Sequence, residues 1–454
     1  LLFFGVVIWV AFGLYKIIVV EGDFWRSHAT AKNDTITVYP PRGNIYDCNR
    51  NLLVSSLPKY RVFVDFGADK LCKNEAQFKH DIDSLCIHAS RILNIDRNRL
   101  RSRILDEMSK PKNRRNRRCE IFGSSELDHP TKNALFGSKF ISDYNCFYTE
   151  KRIKREKPFA TLSSRTLGGV YQDAETEGKG GNSGLELYYN EELKGKTGVS
   201  RKQRIRNRNY LVSITEPEEG CDLITTFDVK MMDIVESELK SVMIKDGTDH
   251  ACAVVMDVKT GEIKAMSNLK MNSSGEFYDE ENYVMTSLTE PGSTFKVASV
   301  VALLESGRVD TSYKIDTGEG IWQLPNWNKP MRDHNHHKGG YGEISLAKAI
   351  WYSSNIGISK PVTEVFGLSR DSSKKFVDRL YSMKLNEKLD LEIPGVVKPN
   401  IPHPTDKGVK WSGMSLPWMS IGYGVQVPPI YTLTFYNGLA NNGKMIKPVF
   451  VRTI

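Results

Sequence analysis

The first twenty residues are the feature that most narrows the folds open to this chain. They read LLFFGVVIWVAFGLYKIIVV and carry one charge, that of Lys16. A helix of twenty residues rises about 30 Å, the thickness of the hydrocarbon core of a bilayer. Apolar residues occupy every face of such a helix rather than one stripe, which makes a buried core helix the weaker alternative. We therefore expect residues 1–20 to form a transmembrane signal anchor.

The rest of the chain has the composition of ordinary globular domains. Of its 454 residues, 40% are hydrophobic and 26% are charged, which excludes collagen-like, disordered and small disulfide-rich classes. At roughly 150 residues per domain, the length predicts two or three domains. The seven cysteines are scattered without a CxxC pair. Because their number is odd, they do not form a complete disulfide framework.

Positive charge gathers between residues 75 and 160, which we expect to be mainly helical. The net charge is +9, and this stretch contains RNRLRSRILDEMSKPKNRRNRR and KRIKREK. Binding to nucleic acid is one interpretation of such runs. However, no interleaved aromatic residues or recognised nucleic-acid fold accompany them. A solvated face or an anionic partner is therefore favoured, and we expect no nucleic-acid function.

The pattern of apolar residues divides the chain into two halves. Residues 35–66 alternate as β-strands do. From about residue 216 the sequence predicts a helix over 228–245 and then a hairpin that turns at Lys-Thr-Gly-Glu, residues 259–262. A proline-started apolar helix follows and stops at Gly307. This succession of strands and helices predicts an α+β class for the C-terminal half.

A Ser-x-x-Lys motif, Ser293 to Lys296, carries the strongest chemical signal. A nucleophilic serine needs a base within about 2.6–3.2 Å. Three residues at a helix start place the hydroxyl and the amine one turn apart on one face. The same spacing recurs, for example at Ser345 and Ser372, but the Ser293 copy directly follows Pro-Gly and opens a long apolar helix. A helix N-terminus there can direct N–H groups at a developing oxyanion.

A second candidate group is Ser353-Ser354-Asn355, 60 residues after Ser293. A hydroxyl can relay a proton, and a carboxamide can hold a peptide through a donor and an acceptor together. Taken alone, this tripeptide is more simply interpreted as a turn or a helix cap. The two motifs are more informative in combination, and together with other segments of the chain, than either is alone.

Together these segments resemble the class B penicillin-binding proteins, which are membrane-anchored peptidoglycan transpeptidases with Ser-x-x-Lys and Ser-x-Asn motifs. The resemblance runs from the anchor to the last residues. The segments that carry it are residues 290–296, 353–355, 41–47, 184–195, 260–266 and 422–426.

The resemblance implies a serine acyl-enzyme. Ser293 would attack the penultimate D-Ala carbonyl of a stem peptide and release the terminal D-Ala. Lys296 would be the base, Ser353 would pass a proton to the leaving amine, and Asn355 would orient the donor strand. The amine of a second stem peptide would complete the cross-link, and β-lactams would acylate Ser293 as substrate mimics. Neither a cofactor nor a metal is implied.

The resemblance also implies an architecture and a location. We expect a transmembrane anchor over 1–20, an elongated β-rich pedestal of the dimerisation type over 21–215, and a transpeptidase domain like that of serine β-lactamases over 216–454. The chain would cross the bacterial plasma membrane once, with its catalytic domain on the periplasmic side. A septal, FtsI-like role in cell division is favoured over elongation. The partners would be stem peptides, β-lactams and divisome membrane proteins, including a glycosyltransferase.

The sequence departs from the family pattern at its third motif, Lys-[Ser/Thr]-Gly, which should follow Asn355. No match lies between residues 355 and 454. Two Lys-Thr-Gly strings begin at Lys196 and Lys259, but both precede Ser293 and are interpreted as chance matches. We therefore expect the chain to stop before this motif, with an incomplete active site.

Histidines 334, 336 and 337 suggest a metal, but no second ligand cluster accompanies them, so a polar surface turn is favoured. The preceding Asp333 matches a loop aspartate common in the family.

Two alternatives stay open. One is a catalytically silent divisome scaffold, against which the retention of all four motif residues argues. The other is a β-lactamase or a β-lactam sensor, which would share Ser293 and Lys296. The long N-terminal pedestal speaks against a hydrolase, and no sensor-type protease domain is present.

Overall fold

The apolar N-terminal segment is helical in the computed structural model of the chain, which describes residues 2–21, 35–123, 126–159, 162–171, 180–205, 208–324, 327 and 329–454. Helix α1 (Leu2–Tyr15) passes directly into a π-helical turn, Lys16–Val20. Large apolar side chains here are exposed, Trp9 to 76% and Phe12 to 66%. Over the described residues, no helix is both long enough and apolar enough to cross a membrane.

A long antiparallel strand pair and a group of helices form the first half. Its strands are β1 (Thr35–Val38), β2 (Ile45–Tyr46), β3 (Leu52–Val64), β4 (Phe147–Glu156), β5 (Gly198–Ile205) and β6 (Arg208–Thr215). Its helices are α2 (Asp69–Lys73), α3 (Glu75–Leu93), α4 (Arg97–Ser109), α5 (His129–Phe136), α6 (Lys139–Ser142), α7 (Ser164–Leu167), α8 (Gly184–Tyr188) and α9 (Asn190–Lys194), with a 3₁₀ turn at Lys112–Arg114. The expected β-rich segment over 35–66 is confirmed.

The second basic run is a strand, so the expectation of helix across residues 75–160 is wrong there. Strand β4 pairs antiparallel with β3 from Ser55 opposite Glu156 to Val64 opposite Phe147. Pairing with a distant, partly buried strand decides the conformation, and the local charge pattern carries no information about that partner.

The second half mixes short strands with longer helices. Its strands are β7 (Leu223–Thr225), β8 (His250–Met256), β9 (Ile263–Met271), β10 (Phe277–Tyr278), β11 (Lys314–Asp316), β12 (Ile321–Trp322), β13 (Met331–Arg332), β14 (Glu343–Ser345) and β15 (Val451–Thr453). Its helices are α10 (Val229–Asp246), α11 (Tyr283–Thr286), α12 (Lys296–Glu305), α13 (Leu346–Trp351), α14 (Asn355–Phe366), α15 (Arg370–Ser382), α16 (Ser415–Met419) and α17 (Pro429–Ala440), with 3₁₀ turns at Gly292–Phe295 and His336–Lys338. The expected helix is α10, the expected hairpin is β8 with β9, and the α+β class is confirmed.

One sheet contains strands from both halves, in the order β15-β7-β2-β3-β4. Strand β2 pairs in parallel with β7, with Ile45 opposite Leu223. Strand β15 pairs antiparallel with β7, with Val451 opposite Thr225. The two halves are therefore joined by backbone hydrogen bonds, and the division at residues 215 and 216 stays a prediction.

A buried ion cluster fixes the segment around Arg42, one of those that carry the family resemblance. The Arg42 Nε lies 2.6 Å from one carboxylate oxygen of Glu186, and the Arg155 Nε lies 2.7 Å from the other. Because Glu186 is fully buried, its charge would be costly without these partners. The cluster holds the Arg42 loop, β4 and α8 together.

Candidate active site

Ser293 lies in the 3₁₀ turn that leads into α12. Gly292 precedes it with a φ of +54°, a left-handed conformation that favours glycine. Gly422 packs so closely that a Cβ there would lie 2.1 Å from the Gly292 carbonyl oxygen. Ser293 is exposed whereas Phe295 is buried, so the turn presents its hydroxyl to solvent while it is anchored in the core.

Lys296 is the buried cation next to this turn, with an exposed fraction of 2%. Its Nζ donates to the carbonyl oxygen of Ser353 at 2.6 Å and to the Ser353 hydroxyl at 3.1 Å. Burial lowers the pKa of the amine to about 8, and the negative charge of Asp333 acts in the opposite direction. A neutral amine able to accept a proton is therefore accessible near physiological pH.

Ser353 takes an unusual backbone conformation, with a φ of +51°. A left-handed serine costs of order 1–3 kcal/mol and persists only where its surroundings enforce it. Here α13 ends just before it and the N-terminus of α14 follows it. The conformation lets one residue offer both its carbonyl and its hydroxyl to Lys296.

Asp333 organises the loop that carries Ser353. Its carboxylate, 1% exposed, accepts from the Ser354 hydroxyl at 2.7 Å and from the backbone N–H groups of Asn355 at 2.6 Å and Ile356 at 3.1 Å. The Asn355 side chain in turn donates to the Arg332 carbonyl at 2.8 Å. Asp333 thus caps α14 and fixes the position of the whole Ser353–Asn355 loop.

The structure brings Lys296 and Ser353 into contact and places Ser293 one turn before Lys296. Within the described part of the chain, no hydrogen bond joins the Ser293 hydroxyl to either side chain. Catalytic hydrogen bonds are often loose without substrate and tighten in the complex. The chemical roles assigned to Ser293, Lys296, Ser353 and Asn355 stay predictions.

The segment that follows Gly422 contacts the residues just before the turn that carries Ser293. The Glu290 carboxylate accepts from the backbone N–H of Gly424 at 2.8 Å, and the Val427 N–H donates to the Thr289 carbonyl at 2.9 Å. Neither contact follows from the spacing of either motif, so the sequence alone does not predict them. Of the two, only the position of Glu290 inside the 290–296 segment could have signalled a role.

The two earlier Lys-Thr-Gly strings have other structural positions. Lys196 leads into β5 and pairs with Glu218 at 2.7 Å. Thr260 lies in the turn between β8 and β9, where the Asp257 carboxylate accepts from both its N–H and its hydroxyl at 2.8 Å. Among the three histidines, the His336 ring lies 2.9 Å from the Asp333 carbonyl.

Two models of known families match separate parts of the chain. Residues 251–454 match the penicillin binding protein transpeptidase domain, and residues 37–225 match the penicillin-binding protein dimerisation domain. The chain belongs to the class B penicillin-binding proteins. Both domain types of the family are therefore present in this penicillin-binding protein, in the expected order.

Curated relatives of this penicillin-binding protein are distant. The probable peptidoglycan D,D-transpeptidase PbpC of Pseudomonas aeruginosa is 28% identical over 306 residues, which cover 65% of this chain and 50% of the relative. The peptidoglycan D,D-transpeptidase FtsI of Escherichia coli K12 is 25% identical over 306 residues, which cover 65% of this chain and 48% of the relative. The chain thus spans about half the length of the curated relatives it matches.

Solved structures share the fold at low identity. Penicillin Binding Protein 2X of Streptococcus thermophilus superposes with a TM-score of 0.69 at 18% identity, covering 92% of this chain and 61% of that one. The complex of PBP2 with MreC from Helicobacter pylori gives a TM-score of 0.64 at 19% identity, and the match covers 92% of this chain and 79% of that one. The two-domain arrangement is therefore that of the family.

Replacing Asp333 with asparagine is expected to have two effects. Loss of charge-assisted hydrogen bonds in a buried loop should lower the free energy of unfolding by about 1.5–3 kcal/mol. Removal of a negative charge that raises the Lys296 pKa should move the pH midpoint of Ser293 acylation to lower pH. Denaturant titration would measure the change in stability. The rate of covalent labelling by a fluorescent penicillin, measured as a function of pH, would give the midpoint. Asp310→Asn, at a surface turn, is the control, and a midpoint at or above that of wild type would contradict the prediction.

Proposed function

We propose that this penicillin-binding protein is a serine-type peptidoglycan D,D-transpeptidase that cross-links stem peptides. One observation carries the proposal: a buried lysine amine contacts the hydroxyl of Ser353 and lies one turn from the exposed Ser293. The names of the relatives from Pseudomonas aeruginosa and Escherichia coli support the same activity.

Acylation would follow from this arrangement. Neutral Lys296 accepts the Ser293 hydroxyl proton while the Ser293 oxygen bonds to the carbonyl carbon of the penultimate D-Ala. Collapse of the tetrahedral intermediate breaks the amide C–N bond, and the proton passes through Ser353 to the nitrogen of the departing D-Ala. The Ser293 ester remains on the enzyme.

Transfer would use the same groups in reverse. The amine of a second stem peptide enters, loses its proton through Ser353 and Lys296, and attacks the ester carbon. The ester C–O bond breaks, Ser293 regains its proton, and a new amide cross-links the two peptides. Asn355, whose side chain donates to the Arg332 carbonyl, would hold the donor peptide. A β-lactam would acylate Ser293 by the first half of this sequence.

The cellular setting is part of the proposal. An apolar helix with exposed Trp9 and Phe12 supports a membrane anchor, with the catalytic half on the periplasmic face of the bacterial plasma membrane. The FtsI relative supports septal cell-wall synthesis during division. The Helicobacter pylori structure is a complex of PBP2 with a second protein, MreC, which supports a protein partner for this chain. The partners we propose are divisome membrane proteins, including a glycosyltransferase.

A fluorescent penicillin separates the proposed function from its alternatives. A transpeptidase should bind the label covalently and retain it through denaturing electrophoresis. A β-lactamase would release hydrolysed product with turnover, and a silent scaffold would never attach the label. Either of the last two outcomes would contradict the proposal.

A further inference from the structure

One side chain outside the motifs touches the backbone of the nucleophile turn. The hydroxyl of Tyr436, on α17, donates to the carbonyl oxygen of Thr294 at 2.8 Å. Thr294 directly follows Ser293, so this hydrogen bond joins α17 to the residue next to the nucleophile. Tyr436 is 37% exposed, and the partial burial of its ring and hydroxyl raises its pKa, so the hydroxyl stays protonated as a donor across physiological pH.

The end of α17 that carries Tyr436 is itself held in place. The neighbouring Asn437 side chain donates to the carbonyl oxygens of Asp257 and Val258 at 3.2 and 3.3 Å, at the β8–β9 turn. Gly438 packs against Met445. These contacts fix the part of α17 from which the Tyr436 side chain extends.

The Tyr436 contact complements those already described for the turn formed by residues 292–295. Thr294 and Ser293 are both exposed, and the Thr294 hydroxyl donates to the nearby Pro291 carbonyl at 2.7 Å. The contacts of Gly422 and Glu290 hold the residues that precede Ser293, whereas the Tyr436 contact holds the residue that follows it. The turn is thus fixed on both sides of its reactive hydroxyl.

We propose that Tyr436 is a positioning residue for acylation. By holding the Thr294 carbonyl it keeps the Ser293 hydroxyl directed toward the pair formed by Lys296 and Ser353. Its hydroxyl is bonded to the main chain of the turn, so it acts through the orientation of the turn. This inference rests on the proposed function, because it concerns the same acylation step.

Tyr436→Phe tests the inference because it removes only the hydroxyl. The rate constant of acylation at saturating fluorescent penicillin should fall roughly 3- to 10-fold, as expected for one lost hydrogen bond. The penicillin concentration that gives half the maximal rate should not change, because no binding group is lost. The pH midpoint should also match wild type, because Lys296 keeps its surroundings.

Tyr431→Phe is a matched control on the same helix. The hydroxyl of the buried Tyr431 accepts from the backbone N–H of Leu389 at 2.9 Å, so this variant also loses one hydrogen bond to the main chain. It should lower the melting temperature while leaving the maximal acylation rate at the wild-type value. Equal slowing in both variants would overturn the inference, as would a wild-type rate in Tyr436→Phe.

Amide hydrogen exchange gives a readout independent of activity. In Tyr436→Phe, peptides covering residues 292–298 should exchange faster than in wild type, and in Tyr431→Phe they should not. A wild-type protein that never binds penicillin would count against the proposed transpeptidase function. Unchanged exchange at residues 292–298 in Tyr436→Phe would independently overturn the positioning role.

Discussion

Replacing Ser293 with alanine is expected to abolish covalent labelling by a fluorescent penicillin. The label requires an ester to the serine oxygen, and no neighbouring hydroxyl on this turn has a buried amine one turn away. Thr294 is the nearest alternative, but its hydroxyl is committed to the Pro291 carbonyl. In-gel fluorescence of the denatured variant, compared with wild type, measures the effect.

Ser345→Ala is a matched control because Ser345 begins another Ser-x-x-Lys motif. Its side chain caps α13 by accepting from the Lys348 N–H at 3.3 Å. Removing such a cap should cost about 1 kcal/mol of stability and leave labelling intact. Persistent labelling of Ser293→Ala at the wild-type rate would remove Ser293 as the nucleophile.

Replacing Lys296 with methionine is expected to slow acylation by about 10²–10⁴-fold, the usual contribution of a general base. Methionine keeps the apolar stem and the buried volume but cannot accept a proton. The rate constant at saturating penicillin measures the loss. Lys348→Met, which removes an exposed lysine from the Ser345 motif, should leave this rate unchanged. A Lys296→Met protein that acylates as fast as wild type would exclude Lys296 as the base.

The pH dependence of the wild-type protein follows from the same amine. With a Lys296 pKa of about 8, roughly a tenth of the molecules carry the neutral base at pH 7. The acylation rate should therefore rise about tenfold between pH 7 and pH 9 and then level off. Lys296→Met should abolish this rise. A wild-type rate that falls over the same interval would contradict a neutral lysine base.

Loss of the Lys296 amine should affect stability and activity in opposite senses. The folded-state pKa of Lys296, about 8, lies below the ordinary value of 10.5, so the protonated amine is disfavoured in the folded protein. The stability of wild type should rise as the pH increases from about 8 toward 10.5. Burying a neutral methionine avoids that cost, and the melting temperature of Lys296→Met should exceed that of wild type most clearly below pH 8.

Local sequence patterns predicted the structural features that depend on residues close to one another in the chain. Ser293 and Lys296 lie one turn apart because helical geometry alone fixes that separation. The β8–β9 hairpin was predictable because the turn residues 259–262 lie between its two strands. The juxtaposition of Lys296 with Ser353 depended on the family resemblance, since nothing in either motif encodes their contact.

The remaining features depend on contacts between distant segments. Strand β4 looks like a basic helical run until β3 is known to pair with it. Asp333 and Tyr436 act through hydrogen bonds to residues 21 or more positions away, and a single side chain in a loop or helix gives no sign of such a partner. Tertiary context, rather than propensity, decides these positions.

The shared five-stranded sheet also sets when folding of the chain can finish. Strand β7 is bordered by β2, near the start of the first half, and by β15, near residue 451. Strands separated by roughly 400 residues must assemble around it, and such nonlocal pairing makes folding slow. During synthesis, β7 therefore presents an open strand edge until the segment around residue 451 has been made. A chaperone that shields this edge would protect newly made molecules from aggregation.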